Sequence, residues 1–336
     1  MYYAGIDYHK SFSYCTIVDD RGKKIIQTKL ANQEKEVMAF LKPYQPIQSV
    51  MEAGWNWPIM HRWLKKVSQE VFLAHPLKVK AIASAKVKTD KIDSGVLAHL
   101  LRTDLLPTAH IPTMTTYRAR SVIRQRLFFV RLKTMVKNRI NVLIDRYCLV
   151  CPTKDLFCKK GIVWLKKVSL EEPDRQILDQ DLFLLESLEE RVANSNQLVN
   201  QLAKKNPEIS LLRTILGLGP FFSVLVFFEI DGIERFPNPK KLHAYAGLVP
   251  STHQSGNKLY HGRLTKQGNK HLRYALIEAT YPAIRKDPSL KEYYQKIKER
   301  KGANPAKVAT ARKLLTIIYK VLKDKRPFWV GGPRDT

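Results

Sequence analysis

Tyr2-Tyr3-Ala4-Gly5-Ile6-Asp7, Ser13-Tyr14-Cys15-Thr16-Ile17-Val18-Asp19 and Lys24-Ile25-Ile26-Gln27-Thr28-Lys29-Leu30 are three short runs rich in β-branched and aromatic residues. Each has the length of a strand, and Asp20-Arg21-Gly22 supplies a hairpin turn between the second and third. A three-stranded meander is the economical reading.

Working outward, the pattern predicts a helix over 33–43, a strand ending near Met51, a helix over 57–67, a strand over 70–75 and helical segments to about 103. Three hairpin strands followed by alternating helix and strand describe an α/β domain of the ribonuclease H type, given bounds of 1–105.

Within this domain Asp7 closes the first strand, and Glu52 directly follows the apolar run Ser49-Val50-Met51. Acids at strand ends of an open sheet point into the crevice where ligands bind. Asp90 and Asp93 are three apart, which on a helix puts both carboxylates on one face. Singly each acid has a bland reading as a strand terminator or helix cap. Together they are the hard oxygen ligands that two magnesium ions, or manganese as the alternative, need at a phosphate.

The charge points to the same chemistry. With 58 Lys+Arg against 30 Asp+Glu in 336 residues, a net charge of +28, the chain repels free cations and attracts polyanions. Its basic residues are not gathered in a tail, and its 44% hydrophobic content is that of a globular protein, so nucleic acid is the expected partner. No uncharged apolar run reaches the length of about 18 residues that a bilayer requires, so Phe221–Phe228 is read as a core helix and no membrane is expected. Few cysteines and no signal-like start lead to an expected cytoplasmic location. Cys148-x2-Cys151 with Cys158 nearby lacks a fourth zinc ligand at the usual spacing and is read as ordinary buried thiols.

Gly5-Ile6-Asp7-Tyr8-His9-Lys10, Met51-Glu52-Ala53 and Lys88-Thr89-Asp90-Lys91-Ile92-Asp93 resemble the three acidic motifs of the DEDD insertion-sequence transposases. The second half resembles that family more specifically, through Gly217-Leu218-Gly219-Pro220, Arg235-Phe236, Ala244 to Pro250, Gln254-Ser255-Gly256, and Thr265-Lys266-Gln267-Gly268-Asn269 with Leu272-Arg273. The resemblance implies a RuvC-like domain followed by a smaller transposase domain. One departure is Glu52-Ala53-Gly54-Trp55-Asn56-Trp57, where the family usually continues with a small pair and Gly; the Trp pair is read as core packing.

Between these parts, Tyr117 to Tyr147 reads as one long helix without Pro or Gly. It carries Arg118, Arg120, Arg124, Arg126, Arg131, Lys133, Lys137, Arg139 and Arg146 against the single acid Asp145. A second, more acidic helix over 181–205 has Leu185, Leu188, Val192, Leu198 and Leu202 at helical spacing. The pair predicts an antiparallel coiled-coil hairpin over 106–206 that helps dimerisation and turns a basic face to nucleic acid.

The mainly α carboxy-terminal transposase domain is bounded at 207–330. Leu216 to Pro220 resembles a helix-hairpin-helix turn that brings backbone N–H groups to a phosphate, with a plain structural turn as the alternative. A Ser/Gly/Asn-rich loop is expected over 251–257, followed by the cations Lys258, Arg263, Lys266, Lys270 and Arg273. The resemblance makes Ser255 the family nucleophile, with Ser251 in reserve. It further implies a bacterial, nucleoid-associated recombinase guided by a noncoding bridge RNA that pairs with donor and target DNA, acting as homodimers that assemble into a tetramer. The other classes are a two-metal junction nuclease using the same acids with water as nucleophile, and a non-enzymatic RNA-binding protein. An actin-like ATPase would need a later Gly-rich phosphate loop, which the sequence lacks.

Overall fold

A computed structural model describes residues 1–83, 89–256 and 258–329, and leaves aside the side chains of 253, 255, 259 and 261. The chain divides into two compact units, Met1–Pro112 and Thr113–Thr336. The coiled-coil hairpin and the carboxy-terminal helices, given separate bounds above, both belong to the second.

The first unit is built on strands β1 (Tyr2–Tyr8), β2 (Phe12–Val18), β3 (Lys24–Ala31), β4 (Ile47–Glu52) and β5 (Glu70–Ala74), with helices α1 (Glu34–Leu41), α2 (Trp57–Leu64), α3 (Pro76–Ile82) and α4 (Asp90–Arg102). The sheet order is β3-β2-β1-β4-β5, with β1, β2 and β3 antiparallel and β1, β4 and β5 parallel. This is the mixed sheet of the ribonuclease H and RuvC type. Its centre is apolar because β1 and β4 are covered on both faces: Ala4, Ile6, Ile47, Val50 and Met51 are all buried.

Gly5 explains how α4 reaches the sheet. A Cβ there would stand 2.1 Å from the Ser94 carbonyl oxygen and 2.4 Å from the Ala98 nitrogen, so the helix backbone lies directly on β1. Ser94, buried against β2, exchanges a 2.8 Å hydrogen bond with Thr16. Gln27 donates from β3 to Thr16 (2.8 Å) and to the Lys91 carbonyl (2.7 Å). The first turn of α4 is thereby fixed over the sheet.

The second unit opens with α5 (Met114–Arg146), followed by α6 (Lys159–Lys167) and α7 (Asp174–Lys204). The ladder Arg126–Asn196 (3.1 Å), Lys133–Glu189 (2.7 Å), Arg139–Asp181 (2.8 Å) and Arg146–Asp174 (3.3 Å) rises along α5 as it falls along α7, so the pair is antiparallel as expected. Val136, Ile140, Leu143 and Ile144 meet Leu178, Leu182, Leu185 and Leu188 in the seam. The second helix begins earlier than the leucine pattern indicates, because Asp174 directly after Pro173 is a competent start.

Helices α8 (Glu208–Arg213), α9 (Pro220–Ile230), α10 (Pro239–Tyr245), α11 (Lys270–Lys286), α12 (Pro288–Lys301) and α13 (Ala303–Asp324) complete the unit, with strands β6 (Pro250–Ser255) and β7 (Lys258–Leu264) between α10 and α11. As expected, α9 is a core helix: Val224, Leu225, Val226 and Phe228 are buried. Gly217, with φ +88°, would place a Cβ 2.3 Å from the Ala283 nitrogen, so this turn packs backbone to backbone on α11. That favours the structural reading of the turn.

Three expectations need correction. Most of the loop expected over 251–257 is an antiparallel hairpin, with Ser255 opposite Lys258, because a two-residue tip suffices to reverse the chain; Asn257 lies outside the described residues. Only Cys15 is a buried thiol: Cys148 is exposed and Cys151 and Cys158 are half-buried, since they sit in the connection after α5, outside the apolar seam. Cys158 there caps α6, accepting from the Gly161 N–H at 3.3 Å. The Trp pair divides, Trp57 being buried in the core and Trp55 80% exposed. Among the described residues no helix is long and apolar enough to cross a membrane.

Candidate active site

Parallel pairing of Ile6 with Met51 sets the next residues of the two strands, Asp7 and Glu52, side by side. Asp90 and Asp93 both fall in the first turn of α4, whose N-cap is Thr89, accepting from the Ile92 N–H at 3.3 Å. A helix N-terminus is a favourable place for carboxylates. Lys88, from the third acidic motif, lies outside the described residues.

The other three acids act on Asp7. Asp7 is only 6% exposed. Burial pushes its carboxyl up; His9 opposes this, while the charges of Asp90, Glu52 and Asp93 push it further up. A buried carboxylate among three others is under-neutralised, and a cation is what such a group lacks.

His9 was quoted in the first motif without a role. Its Nε2 stands 3.1 Å from Asp7 Oδ2 and 3.3 Å from Asp90 Oδ2. Asp7, His9 and Asp90 each offer a ligand atom within 4.8 Å of the others. The available signal was its position two residues after Asp7, which returns a side chain to the same side of an extended chain. Donors of this kind, carboxylates with one imidazole, fit a divalent cation.

The basic residues divide into two groups. On α5, Arg118 and Arg131 are exposed. Arg120 is 8% exposed and donates to the carbonyls of Phe228 (2.9 Å) and Glu229 (3.1 Å), which corrects its assignment to a nucleic-acid surface: a buried guanidinium holding two carbonyls is structural. Arg124 clamps both carboxylate oxygens of Glu229 at 2.8 Å. Arg126 lies 3.9 Å from the centre of the Phe221 ring, and Lys137 lies 4.4 Å from that of Phe157. Lys133 and Arg139 take part in the α7 ladder.

In the hairpin and beyond, Lys258, Arg263, Lys266 and Lys270 are exposed, whereas Arg273 is half-buried and donates to the Ala246 carbonyl at 3.0 Å. Ser255 is the last residue of β6, and its side chain lies outside the described residues.

Glu229, fully buried in α9, is the residue the sequence reading missed in this unit. Besides Arg124 it accepts from Asn269 Nδ2 (2.7 Å), while Asn269 Oδ1 caps α11 through the His271 and Leu272 N–H groups, both at 3.0 Å. Tyr245 donates to the Glu229 carbonyl at 3.1 Å. Burial would raise this carboxyl, but Arg124, Asn269 and Arg120 outweigh it and hold it below the usual range. Its signal was a lone acid beside the apolar run 221–228.

Comparison with known proteins agrees along the chain. Residues 209–295 match the family described as Transposase IS116/IS110/IS902 family, and residues 4–149 match the IS110-type DEDD family described as Transposase. The transposase for insertion sequence element IS1111A of Coxiella burnetii is 24% identical over 98% of this chain and 91% of its own length. The pilin gene-inverting protein of Moraxella bovis is 26% identical over 97% of each chain. With both family domains present in order and relatives aligned end to end, the chain belongs to the IS110/IS116 insertion-sequence transposases and is a DNA transposase.

Proposed function

We propose that this transposase cuts and rejoins DNA through Ser255, with a divalent cation, magnesium or manganese, held by Asp7, Glu52, Asp90 and Asp93. The observation that carries the metal reading is geometric: the buried Asp7 carboxylate lies with His9 and Asp90 in one cluster of donor atoms, beside the strand position that carries Glu52. When bound, the cation supplies charge neutralisation and Lewis acidity at the phosphate. The four acids orient it as ligands rather than acting as general acids.

Ser255 Oγ forms a bond to phosphorus, the bond from phosphorus to a DNA sugar oxygen breaks, the serine proton leaves to base, and the released oxygen takes up a proton. The phosphoserine keeps the bond energy, so a DNA hydroxyl attacking in reverse reseals the strand and regenerates the serine without a high-energy cofactor. Lys258, opposite Ser255 in the hairpin, supplies positive charge beside it.

A noncoding bridge RNA of the element would select donor and target DNA by base pairing, with exposed cations such as Arg118, Arg131, Lys266 and Lys270 holding phosphates. The protein would act as a homodimer assembling into a tetramer on nucleic acid, at the nucleoid of the bacterial cytoplasm. Phe128, Met135 and Val142 support self-association, because they are exposed at seven-residue spacing on α5.

Protein, element RNA, magnesium and labelled junction DNA run on a denaturing gel test the reading. A protein–DNA adduct in wild type that disappears in Ser255→Ala is expected. Free cleaved ends, equal in both proteins, would instead mean a nuclease that uses water.

A further inference from the structure

His9 is held more firmly than an exposed turn residue needs to be. Its N–H donates to the Phe12 carbonyl at 3.1 Å, closing the β1–β2 turn. Its own carbonyl accepts from Asn32 Nδ2 at 2.9 Å and from Asn56 Nδ2 at 3.3 Å, so that β3's end and the loop after Glu52 both grip it. The imidazole leans on the Phe12 ring with centroids 4.9 Å apart. These contacts leave Nε2 aimed at Asp7 and Asp90.

The spacing of the three donor atoms is informative. Two ligands at right angles on an octahedral ion, each about 2.1 Å from it, stand about 3 Å apart. His9 Nε2 is 3.1 Å from Asp7 Oδ2 and 3.3 Å from Asp90 Oδ2. A plain hydrogen bond accounts for one such distance; the grip on the backbone and the simultaneous approach to both carboxylates suit a ligand set.

We propose that His9 is a nitrogen ligand of the catalytic cation, and that it biases the site toward first-row transition ions such as manganese over magnesium. The inference rests on the metal reading above and deepens it. Magnesium keeps oxygen ligands and gives up its waters reluctantly, whereas transition ions accept imidazole readily. An all-carboxylate site gives no such bias, and one imidazole introduces it.

The test uses the full chain loaded with manganese and read by electron spin echo modulation. Wild type should show nitrogen modulation of a directly bound histidine, shifted by 15N-histidine labelling and lost in both His9→Ala and His9→Gln. Competition titration should show the preference for manganese over magnesium falling by about tenfold or more in these variants, the scale that loss of a mere outer partner already reaches. Manganese bound without nitrogen modulation, or with modulation unchanged in both variants, would overturn the role of His9 while leaving the acid site standing. Manganese affinity unaffected by Asp7→Asn, or no binding at all, would overturn the metal reading and His9's role with it.

Discussion

Two buried carboxylates, one in each unit, are treated in opposite ways. Asp7 lies among Asp90, Glu52 and Asp93, and its carboxyl is pushed up by burial and by their charge. Glu229 lies between Arg124, Arg120 and Asn269, and is held below the ordinary range although it is more deeply buried. Glu229 is balanced by cations of its own unit, whereas Asp7 faces like charges with the His9 imidazole as its near partner. The difference separates architecture from chemistry: a saturated buried acid joins helices, whereas an unsaturated one among like charges awaits a cation.

The largest expected effect is on the unsaturated side. Asp90→Asn should abolish strand cleavage on the junction gel, keep RNA affinity within a few fold, and leave the melting temperature undiminished, because one repelling charge has gone. Normal cleavage by this variant would remove the metal site from the comparison. On the saturated side, Glu229→Ala strands two guanidinium groups and should cost about 3–5 kcal/mol in urea unfolding. A loss under about 1 kcal/mol would show that the node does not hold α5, α9 and α11 together.

Titration sharpens the contrast because the signs are opposite. The raised Asp7 carboxyl binds its proton more tightly folded than unfolded, so without cation it costs stability above its folded value, and that cost fades as pH falls through the folded value toward the ordinary 3.8, below which it is gone. Cation affinity, measured by manganese titration, should accordingly begin to fall at a pH above 3.8 as the solution is acidified. Glu229 contributes stability above its ordinary 4.5 and loses it as pH drops through its lowered folded value.

The smallest effect distinguishes exposed from buried arginine. Arg131→Ala should reduce the slope of log affinity for RNA against log salt by about one, whereas Arg120→Ala should leave the slope alone and lower stability instead. Equal slope changes in both would mean that burial does not sort these side chains.

Much of this division was legible in the sequence. The three strands, the acids at the ends of β1 and β4, and the pairing of Asp90 with Asp93 follow from apolar runs and periodicity alone, since local pattern determines them. His9, Glu229 and the internal partners of Arg120 and Arg124 were not legible. The arginine partners depend on residues more than a hundred positions apart, as Arg124 and Glu229 are, meeting in space, and His9 on a helix eighty positions on; a basic helix reads the same whether its arginines face phosphate or a buried acid. The hairpin of β6 and β7 was missed because its polar strands carry no core-facing alternation.

Gly5 carries no functional group, yet the distances from Asp7 to the acids of α4 depend on it. With a Cβ only 2.1 Å from the Ser94 carbonyl oxygen, any other residue would force α4 away from β1 and draw Asp90 and Asp93 apart from Asp7. An element that drifts by random substitution can therefore be silenced at a site that chemistry-minded inspection would pass over. Inactive copies in a genome should include replacements of this glycine beside wholly intact acids.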